Sequence, residues 1–402
     1  MKFQGYRRPD GRIGIRNHVL VMPTVACVNR VAMDISNRTG AATFMHPYGC
    51  TFDAEENRTT EEAFIGHGVH PNVGAVLVVS LGCETASGSK VFDAIKASGR
   101  PVERLVVQKA GGSRTTSETG VEIVERMKTE LAAQLTDEGD LSELIIALEC
   151  GSSDAFSGLT ANPAVGEAAN LIVDAGGTVI LSELTEMVGA ENVLSRRCST
   201  PEVRDELMHR IKAYEIELSM TTEDDSGVFI SPGNIEGGLT TIEEKSLGCI
   251  YKAGTRQITE VVDYGQMPRE KGVIIMDTPG YDISSVTGKI IGGAHMVLFT
   301  TGKGTPSGSA IAPVLKVSSN NRVFREMPDD IDISAGDILE GTKSLRQVGE
   351  ELVDLVMRTA HGEQAKAEYF QIQEFAIPNV SVLRKEVIHA EMIKRNDRSF
   401  MQ

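Results

Sequence analysis

Apolar residues along this chain fall in short unbroken runs, separated by amphipathic stretches and Gly-rich turns. The clearest run is A-V-L-V-V-S at 75–80, which predicts a strand buried on both faces. Before it, N-H-V-L-V-M-P-T-V-A-C (17–27) begins with a strand, 28–39 predict a helix ending near Gly40, and A-A-T-F-M (41–45) is a second strand leading into His46. Helices are expected at 58–69, 87–97 and 117–136, with a strand at 104–108. This strand–helix alternation predicts a parallel sheet, whose ligands are expected in the loops at the carboxyl ends of its strands.

A second alternating unit starts near 143. L-I-I-A-L-E-C (144–150) and G-T-V-I-L-S-E (177–183) read as strands around a helix at 163–175, and 198–220 as a polar surface helix. Residues 225–255 are rich in Gly, Ser and Thr with little periodicity, the usual mark of a functional segment. A third region begins near 272, where G-V-I-I-M-D (272–277) runs into T-P-G-Y-D and M-V-L-F-T-T (296–301) runs into G-K-G-T-P-S-G. Helices are expected near 342–357 and 358–368, then a mixed tail over 370–402 with a frayed end. The expected class is α/β, with two or more Rossmann-like parallel-sheet units and long Gly-rich active-site loops. The expected divisions are 1–140, 141–270 and 271–402.

Composition narrows the function. The 402 residues carry a formal net charge of -16 and no Trp, which disfavours nucleic-acid binding. No apolar run is long enough to span a bilayer, and the first residues lack the apolar core of a secretory peptide, so a cytoplasmic protein without a membrane role is expected. Six cysteines in this length are too sparse for a disulfide scaffold and are expected to be reduced. No Gly-x-Gly-x-x-Gly fingerprint follows the first strand, no Gly-x-Ser-x-Gly elbow occurs, and the lysine of 302–308 is misplaced for a nucleotide-binding P-loop.

Four Cys-bearing segments stand out: M-P-T-V-A-C (22–27), H-P-Y-G-C (46–50), S-L-G-C-E (80–84) and A-L-E-C-G-S-S-D (147–154). At least three follow strand-like runs. Thiolate, imidazole and carboxylate groups at strand ends suggest a metal site drawn from His46, Cys50, Cys83, Glu84, Glu149 and Cys150. The pattern is not the paired Cys-x-x-Cys of a zinc ribbon. Each cysteine alone also fits a small buried apolar residue. Lys303, with Thr300 and Thr301, can hold an anion in its Gly-rich loop, or be a solvated lysine at a turn. His18, His67, His70 and His295 read as strand-start, helix-end and loop residues.

Longer ordered motifs carry a family resemblance. They are G-Y-R-R-P-D-G-R-I-G-I-R-N (5–17), H-P-Y-G-C, G-C-E (82–84), E-C-G-S-S-D-A-F-S-G-L-T-A-N-P-A-V-G (149–166), S-P-G-N-I-E-G-G-L-T-T-I-E-E-K-S-L-G (231–248), M-D-T-P-G-Y-D (276–282) and F-T-T-G-K-G-T-P-S-G (299–308). Nearly the whole chain resembles the catalytic part of the altronate/galactarate dehydratase family, which includes the large subunit of (2R)-sulfolactate sulfo-lyase. Ser152 departs from a second glycine common in the family, and Ile235 stands where a lysine is common.

The resemblance implies β-elimination from a hydroxy-carboxylate, generally with Fe(II), with Mn(II) or another divalent metal as alternatives. The expected reaction removes water from a sugar acid such as altronate to give a 2-keto-3-deoxy acid. The alternative is a sulfo-lyase releasing sulfite and pyruvate. It also implies an oligomer and a separate small subunit of the antifreeze-like type. Expected catalytic residues are Lys245, as an anion contact or a base lowered by burial, together with Lys303 and Asp154. Expected substrate contacts are Arg16, Asn17, Asn162, Asn234, Asp277, Thr300, Thr301 and Lys303. Several have plainer roles available: Lys245 as a solvated helix lysine, Arg16 and Asn17 as braces of the first strand, and the asparagines as turn caps.

Overall fold

The computed structural model describes residues 1–221 and 230–378. Two parallel sheets dominate it. The smaller has four strands in the spatial order Ala42–Thr43, His18–Pro23, Val73–Ser80 and Val102–Val106. Every residue of Val73–Ser80 is buried, as its unbroken apolar run requires. The helix Asn29–Thr39 stops at Gly40, whose φ of +69° lets its N–H turn back to the Ser36 carbonyl. Helices Ala54–Gly68, Gly88–Ala97 and Ser113–Ala132 complete the alternation. Strand Lys2–Arg7 pairs antiparallel with Ile13–Gly14 and with Asp137–Asp140, so the two ends of the first 140 residues are tied together.

The larger sheet has seven parallel strands in the order Ile258–Val262, Gly272–Met276, Thr178–Leu181, Ile145–Gly151, Met296–Thr301, Val314–Ser318 and Ile333–Ser334. The expected boundary at 270 falls inside it, because Ile258–Val262 lies directly beside Gly272–Met276. Residues on both sides of 270 therefore share one sheet. Strands Ile258–Val262, Val314–Ser318 and Ile333–Ser334 lie outside the runs singled out in the sequence. The Gly/Ser/Thr-rich stretch is partly helical, with Pro232–Glu236 and Ile242–Cys249, while 222–229 lie outside the described residues. Helix Leu345–Ala360 covers most of the first late helix and runs into the second, leaving Lys366–Tyr369 as a short turn of helix. The tail beyond 378 also lies outside the described residues.

The sheets share an apolar cluster in which Leu20, Phe44, Phe64 and Val76 meet Ile274, Met276, Val297 and Phe299. Phe375 stacks on Phe44 with ring centroids 4.4 Å apart. Buried amides rivet the contact: Asn72 Nδ2 donates to the His295 carbonyl at 2.9 Å and to the Ile311 carbonyl at 3.0 Å. Helices Ala54–Gly68 and Asp282–Ile291 pack with their last turns together, a Cβ on Gly66 falling 2.7 Å from Ile291 Cβ. Near their first turns, Tyr48 lies within electrostatic reach of Tyr281. The helices therefore run parallel, and the carboxyl ends of both sheets open on the same side.

Leu298 is fully buried in a central strand. Leu298→Ala should remove about 2–5 kcal/mol of stability, seen as a lowered midpoint in thermal unfolding.

Candidate active site

Strand Ile145–Gly151 carries its buried register to the end, where Glu149 and Cys150 replace apolar residues. Two neighbouring connections close over this end. After Thr178–Leu181 the chain turns through Glu183, a non-glycine residue at φ +63°, into a short 3₁₀ turn bearing Glu186. Helix Ile242–Cys249, capped by the Thr241 hydroxyl accepting from the Glu244 N–H at 3.2 Å, sets Lys245 and Cys249 four residues apart on one face. The following turn brings in Lys252.

These groups meet around a cavity of about 400 Å³. Its walls include Cys150, Glu183, Glu186, Asn234, Lys245, Asp282 and Lys303. Lys245 Nζ is 2.7 Å from Glu186 Oε1, and Lys252 Nζ is 3.5 Å from Glu186 Oε2. Lys252 Nζ also lies 2.6 Å from Cys150 Sγ. Cys150 Sγ is 3.0 Å from Glu186 Oε2 and 3.5 Å from Cys249 Sγ, and all the cysteines are free. Beneath them, Lys289 Nζ donates to Glu149 Oε2 at 2.6 Å and to the Leu148 carbonyl at 2.6 Å; both side chains of the ion pair are 0% exposed.

The charges sort themselves by partner. Burial opposes ionisation of Glu149, but Lys289, the Glu183 hydrogen bond and Lys252 together outweigh it and hold the carboxyl below its usual range. The same contest, decided by Lys245 and Lys252, keeps Glu186 ionised. Glu183 has no such cation. Burial and the Glu149 and Glu186 carboxylates push it well above the usual range, so it stays protonated and hydrogen-bonds to Glu149, while its Oε2 is buried without a partner. Burial, then Glu149 and Glu186, raise Asp282 to about 7. The Cys249 thiol beside it, together with burial, raises Cys150 well above its ordinary value. Lys245 is raised by Glu186, so it is a persistent ammonium rather than the lowered base the sequence allowed.

Among the described residues, Cys150, Glu186 and Cys249 form the one group of three ligand-type side chains whose donor atoms lie within 4.8 Å of one another. It is compatible with a divalent metal. The six expected ligands divide differently. Glu149 is engaged by Lys289, and Cys150 joins the triad. Cys50 and Cys83 are exposed at the carboxyl end of the smaller sheet. Glu84 there accepts from the Gly82 N–H at 2.6 Å and from Thr24 Oγ1 at 3.2 Å. His46 uses both ring nitrogens, Nε2 toward the Pro23 carbonyl at 2.9 Å and Nδ1 accepting from the Tyr48 N–H at 3.1 Å.

Of the expected substrate and catalytic residues, Lys245, Lys303 and Asn234 face the cavity. Lys303 is 40% exposed and pairs with Glu236 at 2.9 Å. Asn234 Nδ2 donates to the Ser153 carbonyl at 3.0 Å. Asp154 instead accepts from Ser157, Ser319 and Asn320, bracing the surrounding loops. Asn162 accepts from Thr300 Oγ1 at 2.6 Å and donates to the Gly248 carbonyl at 3.0 Å. Thr301 Oγ1 accepts from the Gly304 N–H at 3.0 Å. Asp277 pairs with Arg210 at 3.2 Å and accepts from Tyr214 Oη at 3.0 Å, in a separate cavity. Arg16 pairs with Glu368 at 2.7 Å, and Asn17 accepts from Arg8 at 2.9 Å.

Glu183, Glu186, Cys249, Lys252, Asp282 and Lys289 were not singled out in the sequence. The last two left signals: a lysine inside apolar V-T-G-K-I-I, and a second aspartate closing M-D-T-P-G-Y-D.

This strand-end site lies in a region matched over residues 141–383 by the family described as D-galactarate/altronate dehydratase, C-terminal. Residues 5–132 match the D-galactarate dehydratase/altronate hydrolase second domain. The chain belongs to the D-galactarate/altronate dehydratase family. It is 33% identical to altronate dehydratase of Bacillus subtilis, over 93% of this chain and 77% of that protein. It is 36% identical to (2R)-sulfolactate sulfo-lyase subunit beta of Chromohalobacter salexigens, over 93% of this chain and 96% of the relative. Galactarate dehydratase (L-threo-forming) of Escherichia coli is 33% identical over 90% and 73%. All three relatives are lyases, and this member of the family is a lyase too.

Two outcomes test the electrostatics. Lys289→Met strands the buried Glu149 carboxylate and should cost about 3–5 kcal/mol, with much of the loss recovered by adding Glu149→Gln; chemical denaturation measures both. Asp282 has a folded-state pKa near 7 against an ordinary 3.8. The folded chain therefore keeps a proton that the unfolded chain has lost, and stability falls as pH rises through this window. Asp282→Asn should flatten that part of the plot of thermal midpoint against pH.

Proposed function

We propose that this chain is the catalytic part of a metal-dependent hydro-lyase, cytoplasmic, that eliminates water from a sugar acid such as altronate to leave a 2-keto-3-deoxy acid. The observation that carries the reading is the charge of the cavity. Lys245 on its wall and Lys252 and Lys289 buried behind it stand against two ionised carboxylates, Glu149 and Glu186, beside a neutral acid, Glu183, and a partly ionised one, Asp282, while Lys303 on the wall is paired with Glu236. A surplus of positive charge suits an anionic substrate, and paired carboxyl groups driven to different protonation states suit proton transfer.

The donor set of two thiols and a carboxylate fits Fe(II) better than the harder Mn(II). Cys150 and Cys249, on losing their thiol protons, would hold the ion with Glu186, where Lys252 now donates to Cys150 Sγ and pairs with Glu186. Such an ion supplies Lewis acidity at the substrate carboxylate and its 2-hydroxyl. Lys245 and Lys303 neutralise the carboxylate and orient the acid. Asp282, half-ionised near neutral pH, takes the proton from C2. Glu183 hands its proton to the C3 hydroxyl, which departs as water. The enol left behind tautomerises to the 2-keto acid. Ser231 and Asn234, both on the cavity wall, would hold the remaining hydroxyls.

A second reading, release of sulfite from sulfolactate, is favoured by the match along 96% of a relative named as a subunit. A separate small subunit and a higher oligomer belong to both readings.

The test is an anaerobic assay with added Fe(II) or Mn(II), offering altronate, galactarate and sulfolactate, with and without a small partner subunit. A 2-keto acid from altronate is expected; sulfite with pyruvate would select the second reading, and no product from any of the three would reject both. Asp282→Asn should lower kcat by about 10²–10⁴-fold.

A further inference from the structure

The cysteine motifs of the first 140 residues are left unused by this site. Cys27, Cys50 and Cys83 follow three neighbouring strands, His18–Pro23, Ala42–Thr43 and Val73–Ser80, at their carboxyl ends. All three thiols are free and exposed, although a cysteine with only a packing role is among the most buried of residues.

The loops that carry them are bound to one another. The Ala26 N–H donates to the Tyr48 carbonyl at 3.0 Å, and the Thr85 and Ala86 N–H groups donate to the Gly49 carbonyl at 3.1 and 3.2 Å. Gly49, at φ +101°, lies against the Thr24 carbonyl with no room for a side chain. Glu84 joins the Thr24 and Gly82 segments through hydrogen bonds. Three thiols are thus fixed on one rim without one being buried.

The surroundings favour an anionic, sulfur-rich group. Helix Asn29–Thr39 continues from the 3₁₀ turn Ala26–Val28, whose Ala26 carbonyl takes the Asn29 N–H, so its start offers little to an anion. Helix Ser113–Ala132, by contrast, starts from Gly112 with no side-chain cap and no acidic residue in its first turn. Unsatisfied N–H groups at helix starts favour negative charge. Gln108 Nε2 donates to Cys83 Sγ at 3.5 Å, the kind of contact that stabilises a ligating sulfur.

A single ion does not suit the spacing. Among the described residues, the three-ligand group within 4.8 Å is Cys150, Glu186 and Cys249, not the rim thiols. A sulfide-bridged cluster spreads its thiolates farther apart. His46, with both nitrogens engaged, offers no fourth protein ligand. We infer that Cys27, Cys50 and Cys83 hold a [4Fe–4S] cluster whose fourth iron carries an exchangeable, non-protein ligand.

Loading is a ligand exchange. Each protein thiol forms an iron–sulfur bond and passes its proton to the capping thiolate it displaces; no electrons move. Because both sheets open on the same side, the rim and the cavity share a face.

The experiment adds a thiolate-capped synthetic [4Fe–4S] cluster anaerobically to the full chain and to serine variants. The wild type should gain visible charge-transfer absorption, with iron and acid-labile sulfide in equal amounts. Cys27→Ser, Cys50→Ser and Cys83→Ser should each lose most of that absorption with unchanged thermal midpoints, and Cys198→Ser should keep it. Wild-type protein that takes up no sulfide, a Cys27/Cys50/Cys83 triple serine variant that stays coloured, or loss of colour in Cys150→Ser instead would overturn the assignment.

Discussion

The site depends on one buried ion pair, Lys289 with Glu149. Both side chains are fully removed from water, so neither charge is tolerable without the other. The lysine comes from helix Asp282–Ile291 and the carboxylate from the strand whose end forms the cavity floor. Their contact fastens that helix across the strand end and, through Glu149, fixes the neighbouring acids. Glu149 stays charged because Lys289 helps offset its burial; Glu183 stays protonated because it is buried, and the Glu149 charge adds to that effect.

One arrangement therefore produces acids of two kinds within a small volume. Glu186 has its own cations and is ionised, Glu183 has none and is neutral, and Asp282 at the cavity wall lies between. The strained turn at Glu183 is the backbone counterpart of this sorting. A non-glycine residue in the left-handed region is held there by packing, not by preference. Gly151 is needed for a related reason: a Cβ there would collide with the Asp282 carboxylate.

Much of the architecture was legible in local pattern. The runs at 75–80, 144–150, 272–277 and 296–301 are buried parallel strands because nothing but a two-sided core accommodates such sequences. The site was legible in part. Cys150, Lys245, Lys303 and Asn234 lie at the cavity, and strand-end placement was the signal for Cys150 and Lys303. Asp154, Arg16 and Asp277 carry the same chemistry but spend it on neighbouring loops, helices and side chains. A carboxylate that braces and one that reacts look alike in sequence; they differ in how many donors already surround them.

The sequence by itself determined the alternation of strands and helices, the family, and the cysteines, acids and lysines available at strand ends. Those follow from local periodicity and ordered motifs. Only the tertiary structure decided that residues 141–270 and 271–334 share one sheet, that Cys150 meets Cys249 and Glu186 rather than Cys50 and Cys83, and that Lys245 is an ammonium. The reason is physical. Protonation and ligation depend on which charges lie within a few ångströms and how much water remains between them, and crossover connections bring together residues far apart along the chain.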